Sequence, residues 1–148
     1  MEHRTSAADA LTDLILEVFR VNGGLLAAGD ELSGDLGQTS ARWQVLGAIR
    51  RGPQTVAGIA RDMGLARQSV QRTTDLLARD GLVEYLENPA HRRAKLTRLT
   101  QEGQTTLAAI SARQVAWTNA LTRAMGVHDT RIREALEVLR ALRNELER

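Results

Sequence analysis

The sequence predicts a mainly α fold in which long terminal helices flank a helix-turn-helix and a two-stranded β-hairpin. Three observations predict it. Apolar residues recur at three- and four-residue spacing through both ends of the chain. In the middle, two short helical patterns are separated by Gly64, and the second stops at Gly81. Two apolar–polar alternations then flank Asn88–Arg93, a segment that opens with the turn formers Asn88 and Pro89.

Taken in order, Thr5 to about Ala28 is expected to be a helix with Leu11, Leu14, Ile15, Val18, Leu25 and Leu26 on one face. GDELSGDLGQ, Gly29 to Gln38, reads as a loop because it is rich in Gly and Asp. Its Asp30, Glu31 and Asp35 read as a solvated linker rather than a catalytic carboxylate set. Thr39 or Ser40 caps a helix through ARWQVLGAIR, buried by Trp43, Val45, Leu46 and Ile49, and Pro53 cannot continue it. Thr55 caps the short helix VAGIARDM, which Gly64 ends. Ala66–Arg79 is the second helix of the pair, with Val70, Thr73, Leu76 and Leu77 inward. The strands are Leu82–Glu87 and Ala94–Leu99. Thr100 caps a long helix to about Met125 that carries Leu107, Ile110, Val115, Trp117 and Leu121. GVHD interrupts, and a last helix starts near Thr130.

Three segments result: 1–38, 39–100 and 101–148. The outer two hold more apolar surface than a small central domain needs. That surface is most simply buried in itself and in a second copy of the chain. Leu11, Leu14, Val18, Leu136, Leu139, Leu142 and Leu146 are the candidate dimer contacts.

Composition excludes several chemistries. There is no Cys, so disulfides, thiolate metal sites and thiol redox switches are ruled out. His3, His91 and His128 lie far apart without metal-ligand spacing, so no metal or cofactor is expected. Ser40, Ser69 and Ser111 have no His nearby in sequence for a triad. The Gly-rich loop lacks the Lys-Ser/Thr of a phosphate loop. No enzyme activity is expected. No apolar run reaches membrane-span length, and the N-terminal stretch lacks the apolar core of a signal peptide, so a cytoplasmic location is expected.

Charge is unevenly placed although the formal net charge is only +2. From Ala41 to Thr73 six Arg stand against Asp62 alone, and His91–Arg98 adds Arg92, Arg93, Lys95 and Arg98 with no acid. Between these blocks, Thr74–Ala90 sets Arg79 against four acids. Two cationic blocks are the footprint of a nucleic-acid surface. The second helix of the pair presents Arg67, Gln68, Ser69, Gln71 and Arg72 away from its apolar face, side chains that read base edges or hold phosphates in a major groove. Thr55 and Arg61 are candidate contacts to the DNA backbone. At the hairpin tip, His91, Arg92, Arg93 and Lys95 suit a narrow minor groove with its strong negative potential. A plain solvated helix face and turn would use the same residue types, but helix and tip in this order are far more specific than either alone.

LARQSVQRTTDLLARDGLVEYLENPAHRRAKLTRLTQEG, residues 65–103, resembles the winged helix-turn-helix core of the multiple-antibiotic-resistance regulator (MarR) family. The resemblance rests on Gly81-Leu82-Val83 at the helix exit, on the wing from Asn88-Pro89 to Arg92-Arg93, and on Leu99-Thr100 followed by Gly103. The family pattern is Asp, any residue, Arg, with Leu-Thr six residues later. Here Arg93 and Leu99-Thr100 fit, and His91 stands in the Asp position. That Asp commonly orients the wing Arg. The resemblance implies a homodimer whose terminal helices form a dimerisation lobe and whose recognition helices enter successive major grooves of a pseudo-palindromic site, about 10 bp apart. It also implies a small-molecule effector bound between the two lobes, which shifts the population away from the DNA-binding spacing. Arg42, Trp43 and Trp117 are candidates to line that crevice, with core packing the favoured reading of Trp43. The absence of Cys excludes the family's peroxide-sensing branch.

The expected function is therefore a sequence-specific, double-stranded-DNA-binding regulator, a repressor by expectation. The alternative is a winged-helix module that binds a protein and not DNA, since the fold serves both ends.

Overall fold

In the computed structural model, which describes residues 3–148, helices and short strands follow one another as α1 (Ser6–Gly34), α2 (Ser40–Ala48), β1 (Gln54–Thr55), α3 (Val56–Met63), α4 (Arg67–Arg79), β2 (Val83–Leu86), β3 (Leu96–Leu99), α5 (Gln101–Met125) and α6 (Asp129–Leu146). The fold is mainly α, a winged helix-turn-helix with long helices on either side. Met1 and Glu2, which open both the supposed leader and the first segment, lie outside the described residues. The chain divides into a unit that ends at Ser111 and a unit Ala112–Arg148. No helix among the described residues is long and apolar enough to cross a membrane.

The helix starts are set by side chains that accept from otherwise unpaired amides. Thr5 Oγ1 accepts from Ala8 N, Thr39 Oγ1 from Arg42 N and Thr55 Oγ1 from Gly58 N, at 3.2, 3.2 and 3.0 Å. Gly64 closes α3 in the left-handed conformation at φ +64°, which lets its N–H reach the carbonyls of Ala60 and Arg61. The core of the first unit joins Val45, Leu46 and Ile49 of the α2 region to Ile59, Val70, Leu77, Leu82, Val83, Leu99, Leu107 and Ile110. It therefore reaches past Thr100 into α5.

Two elements differ from expectation. Gly29–Gly34 continue α1 and do not form a loop. The glycine there serves a close approach, because a Cβ on Gly29 would lie 1.9 Å from Ser40 Oγ. Ser40 Oγ donates to Leu26 O at 2.8 Å, Ser40 N donates to Asp30 Oδ1 at 2.7 Å, and Ser33 Oγ donates to Gly29 O at 2.6 Å. Asp30 thus docks α2 on α1 and is not part of a solvated linker. The second difference is β1. It pairs antiparallel with β3, Gln54 opposite Thr97, and gives a sheet of order β1-β3-β2. Two residues are too few to show alternation in sequence. On α4 the buried threonine is Thr74, not Thr73, which is half-buried and donates to Ser69 O at 2.9 Å.

The hairpin root is the tightest junction. Leu82 N donates to Leu77 O at 2.9 Å, and Thr100 N donates back to Leu82 O at 3.1 Å. Thr100 Oγ1 donates to Gly81 O at 2.6 Å and accepts from Gly103 N at 3.0 Å, which caps α5. A Cβ on Gly103 would stand 1.9 Å from Leu82 O.

In the second unit, Gly126 breaks the chain at φ +63° and α6 follows without a single buried residue. Its Ile132, Leu136, Val138, Leu139 and Leu146 are exposed.

The Gly103 contact is with backbone, which cannot swing aside. Gly103→Ala should lower stability by about 3 kcal/mol, the upper range for overpacking, read as a drop in thermal midpoint. A midpoint within a degree of the wild type would show that the junction yields freely.

Candidate nucleic-acid interface

The first turn of α3, the outer face of α4 and the base of the hairpin enclose one groove of about 510 Å³. Thr55, Arg67, Gln68, Gln71, Arg93 and Lys95 line it together with Val56, Ala57, Tyr85 and Ala94. Six of the residues singled out in sequence therefore converge on one surface. Ser69, Arg72, Arg61, His91 and Arg92 are exposed but do not line it. The helix explains the sorting: Val70, Thr74 and Leu77 are buried, so positions 67, 68, 71 and 72 face outward. Ala66 offers no capping side chain, so the first-turn amides of α4 are left without one.

In the wing, Glu84 and Arg98 are cross-strand partners, and Arg98 Nε donates to Glu84 Oε1 at 2.9 Å. Arg98 is thus neutralised and leaves Arg92, Arg93 and Lys95 as the cations of this block. Neither Arg92 nor Arg93 forms an ion pair among the described residues. Asn88 orders the tip instead. Its Nδ2 donates to Ala94 O at 2.9 Å, its Oδ1 accepts from Ala90 N at 3.1 Å, and its carbonyl accepts from His91 N at 3.2 Å. An Asx turn needs no acid at position 91.

Tyr85 was not singled out in sequence, yet it joins the wing to α4. It faces the same side of the sheet as Thr97, its partner on β3. Its hydroxyl donates to Asp75 Oδ1 at 2.5 Å and lies 2.9 Å from Thr74 Oγ1. Gln71 Nε2 donates to Asp75 Oδ1 at 2.9 Å and to Tyr85 Oη at 3.3 Å. Burial, with the adjacent Asp75 carboxylate, pushes the Tyr85 phenol above its usual range, so the donor stays protonated. The alternation Val83–Tyr85 in β2 was the available sign that Tyr85 turns toward α4.

The candidate crevice residues have structural partners. Arg42 Nη1 donates to Asp80 Oδ2 at 2.7 Å, and Trp43 packs against the core. Neither the first groove nor a second of about 460 Å³, which includes Arg50 and Arg51, is lined by Arg42, Trp43 or Trp117. The Arg42 hydrogen bond, aided by the charges of Arg42 and Arg79, holds the Asp80 carboxyl below the usual aspartate range.

A model of the MarR family matches residues 36–94. An uncharacterized protein of Mycobacterium bovis is 36% identical over 118 residues, covering 80% of this chain and 82% of its own length. Among solved structures, CouR from Rhodococcus jostii, crystallised with p-coumaroyl-CoA, is 27% identical, with a TM-score of 0.77 over 88% of this chain and 92% of that one. The transcriptional regulator BldR from Sulfolobus solfataricus shares the fold at 18% identity, with a TM-score of 0.83 over 95% and 99% of the two chains.

A carboxyl whose native pKa is lowered stabilises the fold above its unfolded pKa, near 4, and loses that contribution as pH falls through the native value. Asp80→Asn should therefore melt below the wild type at pH 7, and the gap should close below about pH 4. A gap that is constant with pH would assign the effect to packing.

Proposed function

The chain belongs to the MarR family of winged-helix transcription regulators, whose fold binds DNA, and from that membership we propose that it is a homodimeric repressor released from a pseudo-palindromic operator by a small molecule. The groove carries this reading: it sets the polar face of α4 and the cationic wing on one surface. Arg67, Gln68, Ser69, Gln71 and Arg72 enter the major groove, while His91, Arg92, Arg93 and Lys95 approach the minor groove or its phosphates. Thr55 and Arg61 hold the DNA backbone. Residues 39–100 are the DNA-binding core in this reading, and 1–38 and 101–148 supply dimerisation.

The distribution of exposed apolar side chains supports the dimer. Among the described residues, every large hydrophobic that is exposed lies in 11–26 or 115–146, from Leu11 to Leu26 and from Val115 to Leu146. Phe19 is 70% exposed and Leu146 79%. Monomeric proteins rarely leave such surface in water, so a second copy is its simplest cover. The candidate contacts Leu11, Val18, Leu136, Leu139 and Leu146 are within the exposed set, while Leu14 and Leu142 are half-buried. Effector release draws support from CouR, whose structure holds p-coumaroyl-CoA. A protein-binding wing would expose apolar side chains, whereas this tip exposes His91, Arg92 and Arg93.

Arg93→Ala should weaken binding to specific and unrelated DNA by a similar factor and flatten the slope of log K against log salt by about 1. An unchanged slope would remove the tip from the contact, and no DNA binding by the wild type at low salt would favour the protein-binding alternative. Leu139→Asp should convert a dimer to a monomer in sedimentation velocity. Wild-type protein sedimenting at monomer mass would refute the dimer.

A further inference from the structure

Gln68 and Gln71 lie on the same outward face of α4, three residues apart, yet their amides are in different states. Gln68 makes no side-chain hydrogen bond among the described residues. Gln71 has both amide protons committed. One goes to Asp75 Oδ1 at 2.9 Å and the other to Tyr85 Oη at 3.3 Å. The carboxylate decides which end of the amide faces inward, because it can only accept. Tyr85 reinforces this, since its own proton is given to Asp75 at 2.5 Å and its oxygen is left to accept. Thr74, fully buried, stands 2.9 Å behind the phenol and fixes its position. The one free hydrogen-bonding atom of the Gln71 side chain is therefore Oε1, an acceptor, on the groove surface.

We infer that Tyr85 and Asp75 convert Gln71 into an acceptor-only reader that selects an amino base, adenine or cytosine, over a keto base, guanine or thymine, on the strand it faces. A free glutamine reads adenine in bidentate fashion, accepting from N6 and donating to N7. A glutamine without a donor cannot reach N7. It can accept from adenine N6 or from cytosine N4 equally well, and it meets only acceptors on guanine O6 and thymine O4. Gln68 keeps both functions and serves as an internal comparison, with adenine as its preferred base. Tyr85 and Asp75 are positioning residues here, acting through Gln71 and not on the DNA. The inference rests on the DNA-binding reading above.

The test is selection of binding sites from a random double-stranded DNA library with full-length wild type, Gln71→Ala, Asp75→Ala and Tyr85→Phe. The position whose preference vanishes in Gln71→Ala is the base that Gln71 reads. At that position the wild type should enrich adenine and cytosine together over guanine and thymine, by roughly fivefold for a single neutral hydrogen bond. Asp75→Ala frees the amide nitrogen, so the preference should narrow to adenine. Tyr85→Phe should shift it the same way to a smaller extent, and it guards against a folding defect in the first variant. Removing an acidic charge raises affinity for every sequence alike and cannot produce a change confined to one base pair. A wild type that selects adenine alone, guanine or thymine there would overturn the inference, as would identical preferences in wild type and Asp75→Ala. A clear motif that is untouched in Gln71→Ala would overturn it and leave the DNA-binding reading standing. The absence of any motif would end both.

Discussion

The carbonyl of Leu82 occupies the space where a side chain on residue 103 would be, and the geometry of the interface depends on that contact. It presses the start of α5 against the exit of α4. Thr100 then ties both legs of the hairpin to one point, with its N–H on Leu82 O and its hydroxyl on Gly81 O. Gly81, at φ +78°, supplies the left-handed turn between helix and strand. The β2 and β3 roots are thereby anchored to the end of α4, and Val83 and Leu99, opposite one another in register, are both in the core. The angle between α4 and the wing is set by buried packing. The tip from Glu87 to Lys95 is a projection from a fixed base. A surface that must meet a duplex in two grooves needs this kind of rigidity in its support.

The same construction explains how a chain of low net charge keeps a cationic face. The acids between the two basic blocks are engaged. Glu84 pairs with Arg98 across the strands, Asp80 with Arg42 between α2 and the end of α4, and Asp75 accepts from Tyr85 and Gln71. Two of these contacts remove cations of the basic blocks from the tally, Arg98 and Arg42. Arg67, Arg93 and Lys95 remain on the groove, and no acid lines it. Charge summed along the sequence overstated the basic blocks and overstated the acidic one between them. Pairing in three dimensions is what separates them.

Features carried by local chemistry were legible in the sequence. Thr39, Thr55 and Thr100 announced helix starts, Gly64 and Gly81 announced stops, and the period of Val70 and Leu77 fixed which side of α4 faces out. Features made by contact across the chain were not. Gly29 and Asp30 looked like loop residues because their composition matches one, and only the approach of Ser40 shows that a helix needs them. β1 is two residues long and exists because β3 offers an edge to Gln54 and Thr55. Thr74 rather than Thr73 is buried because the Tyr85 hydroxyl reaches it, a pairing between residues 11 apart that periodicity does not encode. Tyr85 itself was a lone aromatic in a strand pattern. The dimer candidates came from the same terminal apolar surplus that the exposed set displays, but Phe19 was missed because it lies off the stripe of Leu11, Leu14 and Val18.

His91, at the position where the family pattern places Asp, shows how the wing distributes its tasks. An acid there orients the following Arg by an ion pair, so the tip is ordered and one cation is partly neutralised. In this chain the order comes from Asn88, whose amide and carbonyl groups bond only to backbone. Arg93 then carries its full charge to the groove, with its side chain held by no ion pair. An unheld arginine loses about 2 kcal/mol of rotamer freedom when a phosphate fixes it, which offsets part of the extra electrostatic attraction. On the other side of the groove the balance is reversed: Gln71 contributes no charge, but its conformation is settled before DNA arrives. Attraction comes from side chains that are ordered on contact, and discrimination from one that is ordered in advance. The two can vary independently because Asn88 and Tyr85, which set them, share no hydrogen bond.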